Sequence, residues 1–121
     1  MSYESMAVVE SQCAPGVSFT VAKMSYGRRV DLMRRIRELA RHKEFLEASG
    51  DTNEKMEAAL LNAEISRLYL SWGLRAVNGL MLDGAQATPE TLIESGPEEL
   101  CREALLAVKQ QAGLNEAERK N

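Results

Sequence analysis

The sequence predicts a mainly α-helical protein, built from an antiparallel helical hairpin, a small β-hairpin and two or three shorter C-terminal helices. Apolar residues recur at helical spacing over two long segments, 25–47 and 51–72. Two long helices joined by a short connection normally pack antiparallel. Asn78–Gly79 and Asp83–Gly84 bracket a short apolar run, which is typical of a tight β-hairpin.

Residues 1–22 are expected to form a flexible leader that contains at most one short strand. Pro15–Gly16 is a turn dipeptide, and Ser18–Ala22 alternates and is rich in β-branched and aromatic residues. Two interpretations stay open here: a strand at 18–22, or a mobile segment whose apolar residues dock on the core. Residues 23–121 are expected to form a single mainly helical domain.

The first long helix is expected from Ser25, a good N-cap residue, to about Glu47, before the stop signal Ser49–Gly50. Its predicted core face consists of apolar residues at helical spacing: Val30, Met33, Ile36, Leu39, Ala40 and Leu46. The second long helix begins with a capping box between Asp51 and Glu54. Its predicted core face consists of Met56, Ala59, Leu60, Ala63, Leu68 and Trp72, with Leu61, Ile65 and Tyr69 beside it.

The C-terminal elements are predicted from turn and cap residues. The arms of the β-hairpin are 80–82 and 85–87, and Thr88 caps a short helix with Pro89 at its first position. Another helix is expected over 97–111, with Gly113 ending it in a left-handed conformation. A helical stub is expected over 115–118.

Composition excludes several classes of protein. The 121 residues carry a formal net charge of −3, which argues against a generally basic protein that coats DNA. No apolar run approaches the roughly 18 residues that cross a bilayer. The N-terminus lacks the basic start and apolar core of a signal peptide, so we expect a cytoplasmic protein.

No motif in the sequence indicates catalysis. The two cysteines, Cys13 and Cys101, are far apart and have no local signature of a nucleophile, and phosphate-loop, dinucleotide and zinc-protease motifs do not occur. The single histidine, His42, falls in a polar stretch and is expected at the surface. We therefore expect no enzyme, and no catalytic, cofactor-binding or metal site.

The first helix is the main charge feature of the chain. It holds seven basic and four acidic residues in a protein that is acidic overall. One interpretation is a cationic surface for phosphate or, preferably, for an acidic protein partner. The other is a solvated face neutralised by pairs such as Asp31–Arg35 and Arg34–Glu38. Tyr69 and Trp72 are either packing residues at the end of the second helix or contact residues. The candidate partner-binding residues are Arg28, Arg34, Arg37, Arg41, Tyr69 and Trp72.

From residue 57 onward the chain resembles small phage proteins of the tail-assembly-chaperone type. The segments that carry the resemblance are 57–61, 64–74, 77–84, 87–90, 96–100 and 114–121. The resemblance implies a mostly helical, phage- or prophage-encoded protein of a bacterial host. It would bind tape-measure or tail-tube subunits without catalysis. Residues 1–22 lie outside the resemblance.

Two alternatives of another class stay open. One is a phage-encoded inhibitor or adaptor that binds a host protein such as a nuclease, because small acidic proteins can imitate a nucleic-acid backbone. The other is a nucleic-acid-binding regulator, which is disfavoured because the basic helix has only Tyr26 and Phe45 as aromatic neighbours. A homo-oligomer is also open, since two amphipathic helices can expose more apolar surface than a small domain buries.

Overall fold

The computed structural model describes residues 1–49 and 52–113. Its elements in chain order are β1 (Met6–Glu10), β2 (Ser18–Ala22), α1 (Tyr26–Ser49), α2 (Thr52–Gly73), β3 (Leu74–Asn78), β4 (Met81–Leu82), β5 (Ala85–Gln86), α3 (Pro89–Ser95) and α4 (Glu98–Ala112). The high helical content of the described residues agrees with the prediction of a mainly α-helical protein, to which the structure adds an antiparallel sheet.

The described residues divide into two compact units. The first, here called the sheet unit, consists of residues 1–24 and 69–113. The second, here called the helical unit, contains residues 25–68 apart from the two undescribed positions. The end of α2 and both C-terminal helices thus belong to the same unit as the N-terminal strands.

The sheet unit is built on a three-stranded antiparallel sheet in the order β1-β2-β3. Val8 of β1 lies opposite Thr20 of β2, and Phe19 of β2 lies opposite Val77 of β3. The register between β2 and β3 shifts at Thr20 and Val21. Each strand alternates, so one face of the sheet carries the apolar residues that the helices cover.

The core of the sheet unit lies between this face and the two C-terminal helices. Helix α4 packs against β2 and β3, and α3 packs against β3 and β4. The residues buried here are mostly aliphatic: Phe19, Val21, Leu74, Val77, Leu92, Leu100, Ala104 and Val108. Helix α4 is held on the sheet by Leu100, Ala104, Ala107 and Val108, whose spacing places them on one side of the helix.

In the helical unit, α1 buries Leu32 and Ile36. Helix α2 buries Ala58 and Leu61, against which Leu39 of α1 packs. The expected core face of α2 is wrong in part, because Met56 and Leu60 are exposed, as are Ala59 and Ala63. The reason is that α2 has apolar residues on two sides, and helical periodicity alone does not decide which side is buried.

The N-terminal residues form more structure than was expected of them. The strand expected at 18–22 is confirmed as β2, but residues 6–10 form a second strand, β1, which pairs with β2 along its whole length. Strand β3 was not predicted either, because no element was expected between the end of the second long helix at about residue 72 and the hairpin arm at 80–82. Strand β3 is fixed by pairing with β2 nearly 60 positions away, which is a non-local interaction and leaves little local signal. Strand β1 pairs with β2 across the seven residues 11–17, so it was missed although its partner is close in the chain.

Most of the predicted turns and caps are confirmed. Strands β4 and β5 pair antiparallel as the small hairpin. Thr88 caps α3: the Thr91 amide donates to Thr88 Oγ1 at 3.2 Å, and the Thr88 amide donates to Thr91 Oγ1 at 2.8 Å. Gly113 ends α4 at φ 62°. The capping residue Asp51, the stop at Gly50 and the stub over 115–118 lie outside the described residues.

Candidate protein-interaction surface

One side of α1 combines positive charge with apolar surface. Val30, Arg34, Arg37 and Arg41 follow one another at intervals of four, three and four residues, which places them in a row along the helix. Val30 was expected in the core face of α1 but is 40% exposed, and the three arginines are exposed. This row, here called the α1 stripe, lies away from the side that buries Leu32.

The α1 stripe contains a pocket. Val30, Met33, Arg34 and Arg37 line a cavity of about 220 Å³. Two of these side chains are apolar and two carry a guanidinium, so the pocket suits an apolar side chain that has a carboxylate beside it. Arginine serves such a surface better than lysine, because its planar fork can bind a carboxylate through two hydrogen bonds.

Arg28 does not belong to this surface, although it was grouped with the other arginines. It is half-buried and lies nine positions before Arg37, which places the two about 180° apart around the helix. The four arginines were grouped by their charge, but helical geometry places Arg28 on a different side of α1. Arg34, Arg37 and Arg41 remain together.

The prediction that some charges of α1 neutralise one another is confirmed for one pair. Arg35 Nε lies 3.1 Å from Asp31 Oδ2, one helical turn away. Both side chains are about half exposed, so the pair contributes little to stability. Arg35 is about 160° from Arg37 around the helix, so this pair does not neutralise the α1 stripe.

The two aromatic candidates lie in the sheet unit. Tyr69 is 2% exposed, and Lys109 Nζ lies 5.3 Å from the centre of its ring. Trp72 is half-buried. Tyr69 is therefore a core residue stabilised by a cation–π contact and not a surface residue that a partner could reach.

A second exposed surface consists of residues of α2 that the sequence predicted to lie in the core. Met56 and Leu60 of α2 are 69% and 59% exposed, and Ala63 continues the same row. Their spacing puts them on one side of α2, opposite the buried Ala58 and Leu61. We call this row the α2 stripe. Its signal in the sequence is the presence of apolar residues on both sides of one helix.

The loop between β1 and β2 is held by a carboxylate of α4. Glu103 accepts hydrogen bonds from the Ser11 hydroxyl, from the Gln12 amide at 2.7 Å and from the Cys13 thiol at 3.0 Å. Ser11 Oγ also accepts from the Ala14 amide at 3.0 Å. Sequence reasoning missed this cluster because Glu103 is about 90 positions from the loop it binds.

The electrostatics of this cluster work against cysteine reactivity. The hydrogen bond to Glu103 raises the pKa of the Cys13 thiol, since the carboxylate disfavours a second negative charge. Hydrogen bonds from Ser11 and Cys13 in turn lower the pKa of Glu103. Burial raises the pKa of Cys101. Both cysteines are thus held as thiols, which are weaker nucleophiles than thiolates.

Two further properties of the described residues bear on the class of site. No group of three or more histidine, cysteine, aspartate or glutamate residues in the described ranges could hold a metal ion. No described helix combines the length and the hydrophobicity that a membrane crossing needs. His42 is exposed, as predicted.

Comparison with known proteins adds no relative. No protein family, no curated protein and no solved structure matches this chain.

Proposed function

We propose that this protein is a binding protein of the tail-assembly-chaperone type, which acts without catalysis on a tape-measure or tail-tube subunit in the cytoplasm of a bacterial host. The observation that carries the proposal is the α1 stripe, where a pocket lined by Val30 and Met33 lies beside Arg34 and Arg37. The resemblance from residue 57 onward supports the identity of the partner.

The chemistry of the α1 stripe selects one kind of ligand. An amphipathic helix with an apolar residue flanked by carboxylates fills such a surface, because the apolar side chain enters the pocket and the carboxylates meet the arginines. The arginines speed association and fix the register of the partner, while burial of apolar area supplies affinity. A tape-measure helix that has not yet been covered by tail tube is a ligand of this kind.

The α2 stripe supplies the second surface for such a partner. Met56 is flexible and polarizable, so it adapts to different apolar side chains, as suits a protein that binds successive segments of one long helix. We include in this proposal the antiparallel packing of α1 and α2, which the contact of Leu39 with Ala58 and Leu61 supports. In that arrangement, two helices that bury one side against each other leave their other sides for a partner.

The test is co-purification with the tape-measure and tail-tube proteins encoded in the same phage or prophage. The full chain is co-expressed with each candidate, and a stable complex is sought by size-exclusion chromatography. We expect Arg34→Glu combined with Arg37→Glu to weaken binding at least about tenfold, since it replaces two attractive charge contacts with repulsive ones. Arg35→Glu, on another side of the same helix, is the matched control and should bind normally.

A second pair of variants tests the α2 stripe. Leu60→Glu places a charge on the stripe and should abolish the complex, whereas Asn62→Glu, which is exposed on a different side of α2, should leave it intact. Absence of any complex with tape-measure or tail-tube subunits would refute the proposal. So would tight binding of duplex DNA that falls steeply with salt, which is the behaviour of a nucleic-acid-binding regulator.

A further inference from the structure

Strand β1 is an edge of the sheet, and its outward groups are available for pairing. The Ser11 amide donates to the Val17 carbonyl and the Lys23 amide donates to the Ser5 carbonyl, each at 2.8 Å, just beyond the two ends of the β1–β2 ladder. In an antiparallel pair, residues that exchange hydrogen bonds alternate with residues that do not. Ala7 and Val9 therefore bond to β2, and the N–H and C=O groups of Met6, Val8 and Glu10 point away from it.

The side chains along this edge are also exposed. Val8 is 65% exposed and Met6 is 47% exposed, and both lie on the face of the sheet opposite the C-terminal helices. Within the sheet unit, no described residue forms a hydrogen bond with the outward backbone groups of Met6, Val8 or Glu10. An apolar edge strand without lysine or proline is a template for a further strand.

The opposite edge of the same sheet is treated differently. Strand β3 pairs with β2 through Ala76 and Asn78, so the Val77 carbonyl points outward. That carbonyl accepts a hydrogen bond from Gln86 Nε2 at 2.8 Å. The chain thus covers one sheet edge with its own side chain, while the edge formed by β1 has no such cover in the described part of the sheet unit.

We propose that β1 pairs with β1 of a second copy of this chain, which makes a continuous six-stranded antiparallel sheet about a two-fold axis at Val8. The spacing of the outward groups is what makes the strand self-complementary. Met6, Val8 and Glu10 are symmetric about Val8, so a two-fold axis there places Val8 opposite its copy and Met6 opposite the partner's Glu10. About six inter-chain hydrogen bonds form in this register, two for each opposed pair.

The charges favour the same register. Glu10 lies opposite the methionine and not opposite its own copy, and continuing the register places Glu4 opposite the partner's Gln12. No like charges are opposed along the interface, whereas opposed like charges on neighbouring strands are destabilising. The exposed Val8 side chains meet at the axis on one face and bury each other there. A strand of another protein would gain the same backbone bonds, but it is not guaranteed this match of charge and symmetry.

The first experiment measures self-association of the full chain by analytical ultracentrifugation, from about 1 μM to 1 mM, the range in which weak dimers dissociate. We expect a concentration-dependent dimer. Met6→Lys and Met6→Glu provide a matched pair at one exposed position. Met6→Lys places a positive charge opposite the partner's Glu10 and should tighten the dimer, while Met6→Glu opposes two negative charges and should weaken it. Two such cross-strand pairs form in each dimer, so each variant should shift the dissociation constant by about 2- to 30-fold.

A second experiment reports on the hydrogen bonds directly. Amide hydrogen exchange should be slow at Met6, Val8 and Glu10 only in the dimer, and slow at Ala7 and Val9 in monomer and dimer alike. Val8→Pro removes one outward N–H without touching the bonds to β2, so it should abolish the dimer and keep the fold. Val8→Thr keeps that N–H and a β-branched side chain, and it should still dimerise.

Three results would overturn the proposal. The first is a protein that stays monomeric throughout the concentration range. A monomer whose β1 edge pairs with a strand of another protein counts as the same result. The second is a dimer in which the amides of Met6, Val8 and Glu10 still exchange rapidly. The third is an equal effect of Met6→Lys and Met6→Glu on the dissociation constant. None of these results depends on whether the α1 stripe binds a tape-measure protein.

Discussion

The carboxylate of Glu103 gives the sharpest prediction about stability, because one side chain holds a whole loop. Its three donors are the Ser11 hydroxyl, the Gln12 amide and the Cys13 thiol. Glu103→Gln keeps the size of the side chain but loses the charge, and it offers a single acceptor oxygen. Hydrogen bonds to a charged group contribute about 1.5–3 kcal/mol each when buried, but this carboxylate is partly solvated. We therefore expect a loss of about 1–2 kcal/mol in the free energy of unfolding at pH 7.

The pH dependence of that loss has a defined sign. The pKa of Glu103 is lowered in the folded protein, so its contribution is fully present above the ordinary carboxyl pKa of about 4.3. It is lost as the pH falls through the lowered pKa. The difference in stability between the wild-type protein and Glu103→Gln should thus close between pH 5 and strongly acidic pH, where other carboxylates affect both proteins alike.

The Cys13 thiol makes stability depend on pH at the alkaline end of the range, opposite to the acidic end set by Glu103. The pKa of its thiol is raised, so its hydrogen bond to Glu103 is present at neutral pH and is lost as the pH rises through the raised value. Cys13→Ser keeps a donor to Glu103 but does not titrate there, and it should remove the alkaline limb while leaving the acidic limb unchanged.

Urea unfolding of each variant across pH measures these differences, and exchange of the Gln12 amide reports on the loop alone. Glu64→Gln, which neutralises an exposed carboxylate in the interior of α2, is the control and should change stability by less than about 0.5 kcal/mol. The reasoning fails if Glu103→Gln is as stable as wild type at pH 7. It also fails if the difference between them is the same at pH 7 and at pH 3.

Three further substitutions test the packing of the sheet unit, each by urea unfolding. Gly79→Ala should cost more than about 2 kcal/mol, because Gly79 has φ +77° and an added Cβ would collide with the Gly16 carbonyl oxygen; a neutral result would contradict the turn geometry. Leu92→Ala should cost about 2–5 kcal/mol, since Leu92 is fully buried, and an effect below 1 kcal/mol would place it at the surface. Thr88→Ala should cost about 1 kcal/mol through loss of the α3 cap, and Thr88→Ser should restore most of it.

Local signals in the sequence predicted the elements that depend on local chemistry. Thr88 and Pro89 marked the start of α3, and Gly113 marked the end of α4, because caps and left-handed residues leave a signature at one position. The helical conformation of both long segments followed from apolar spacing, although their buried sides did not. In each case the residues that stabilise the element are the same few residues that form its signal in the sequence.

Two of the missed features depend on residues far apart in the chain. Strand β3 pairs with β2, from which two long helices separate it, whereas the other missed strand, β1, pairs with β2 across only seven residues. A five-residue segment cannot show that its partner is more than 50 residues away. The Glu103 cluster has the same character, since its donors and its acceptor come from opposite ends of the sequence.

The candidate site was predicted by residue type and corrected by geometry. The arginines of α1 were found from charge, but only a decision about the buried side of the helix separates Arg28 from Arg37. On α2 the prediction placed Met56 and Leu60 in the core, whereas the structure exposes them and buries Ala58 and Leu61 instead. Tyr69 was grouped with the contact residues although it is a core residue.

The exposed stripe of α2 has an energetic meaning for the proposed function. Full burial of a methionine or leucine side chain contributes a free energy of about 1.5–3 kcal/mol. Because Met56 and Leu60 are mostly exposed, covering both would contribute roughly 2–4 kcal/mol. When a partner covers both residues, their combined contribution to the binding free energy reaches the range of interface hot spots. Substituting both with alanine should therefore weaken a partner complex by well over tenfold without lowering the stability of the free protein. If the free protein instead lost stability by several kcal/mol, these side chains would belong to its core, and the α2 stripe would not be a binding surface.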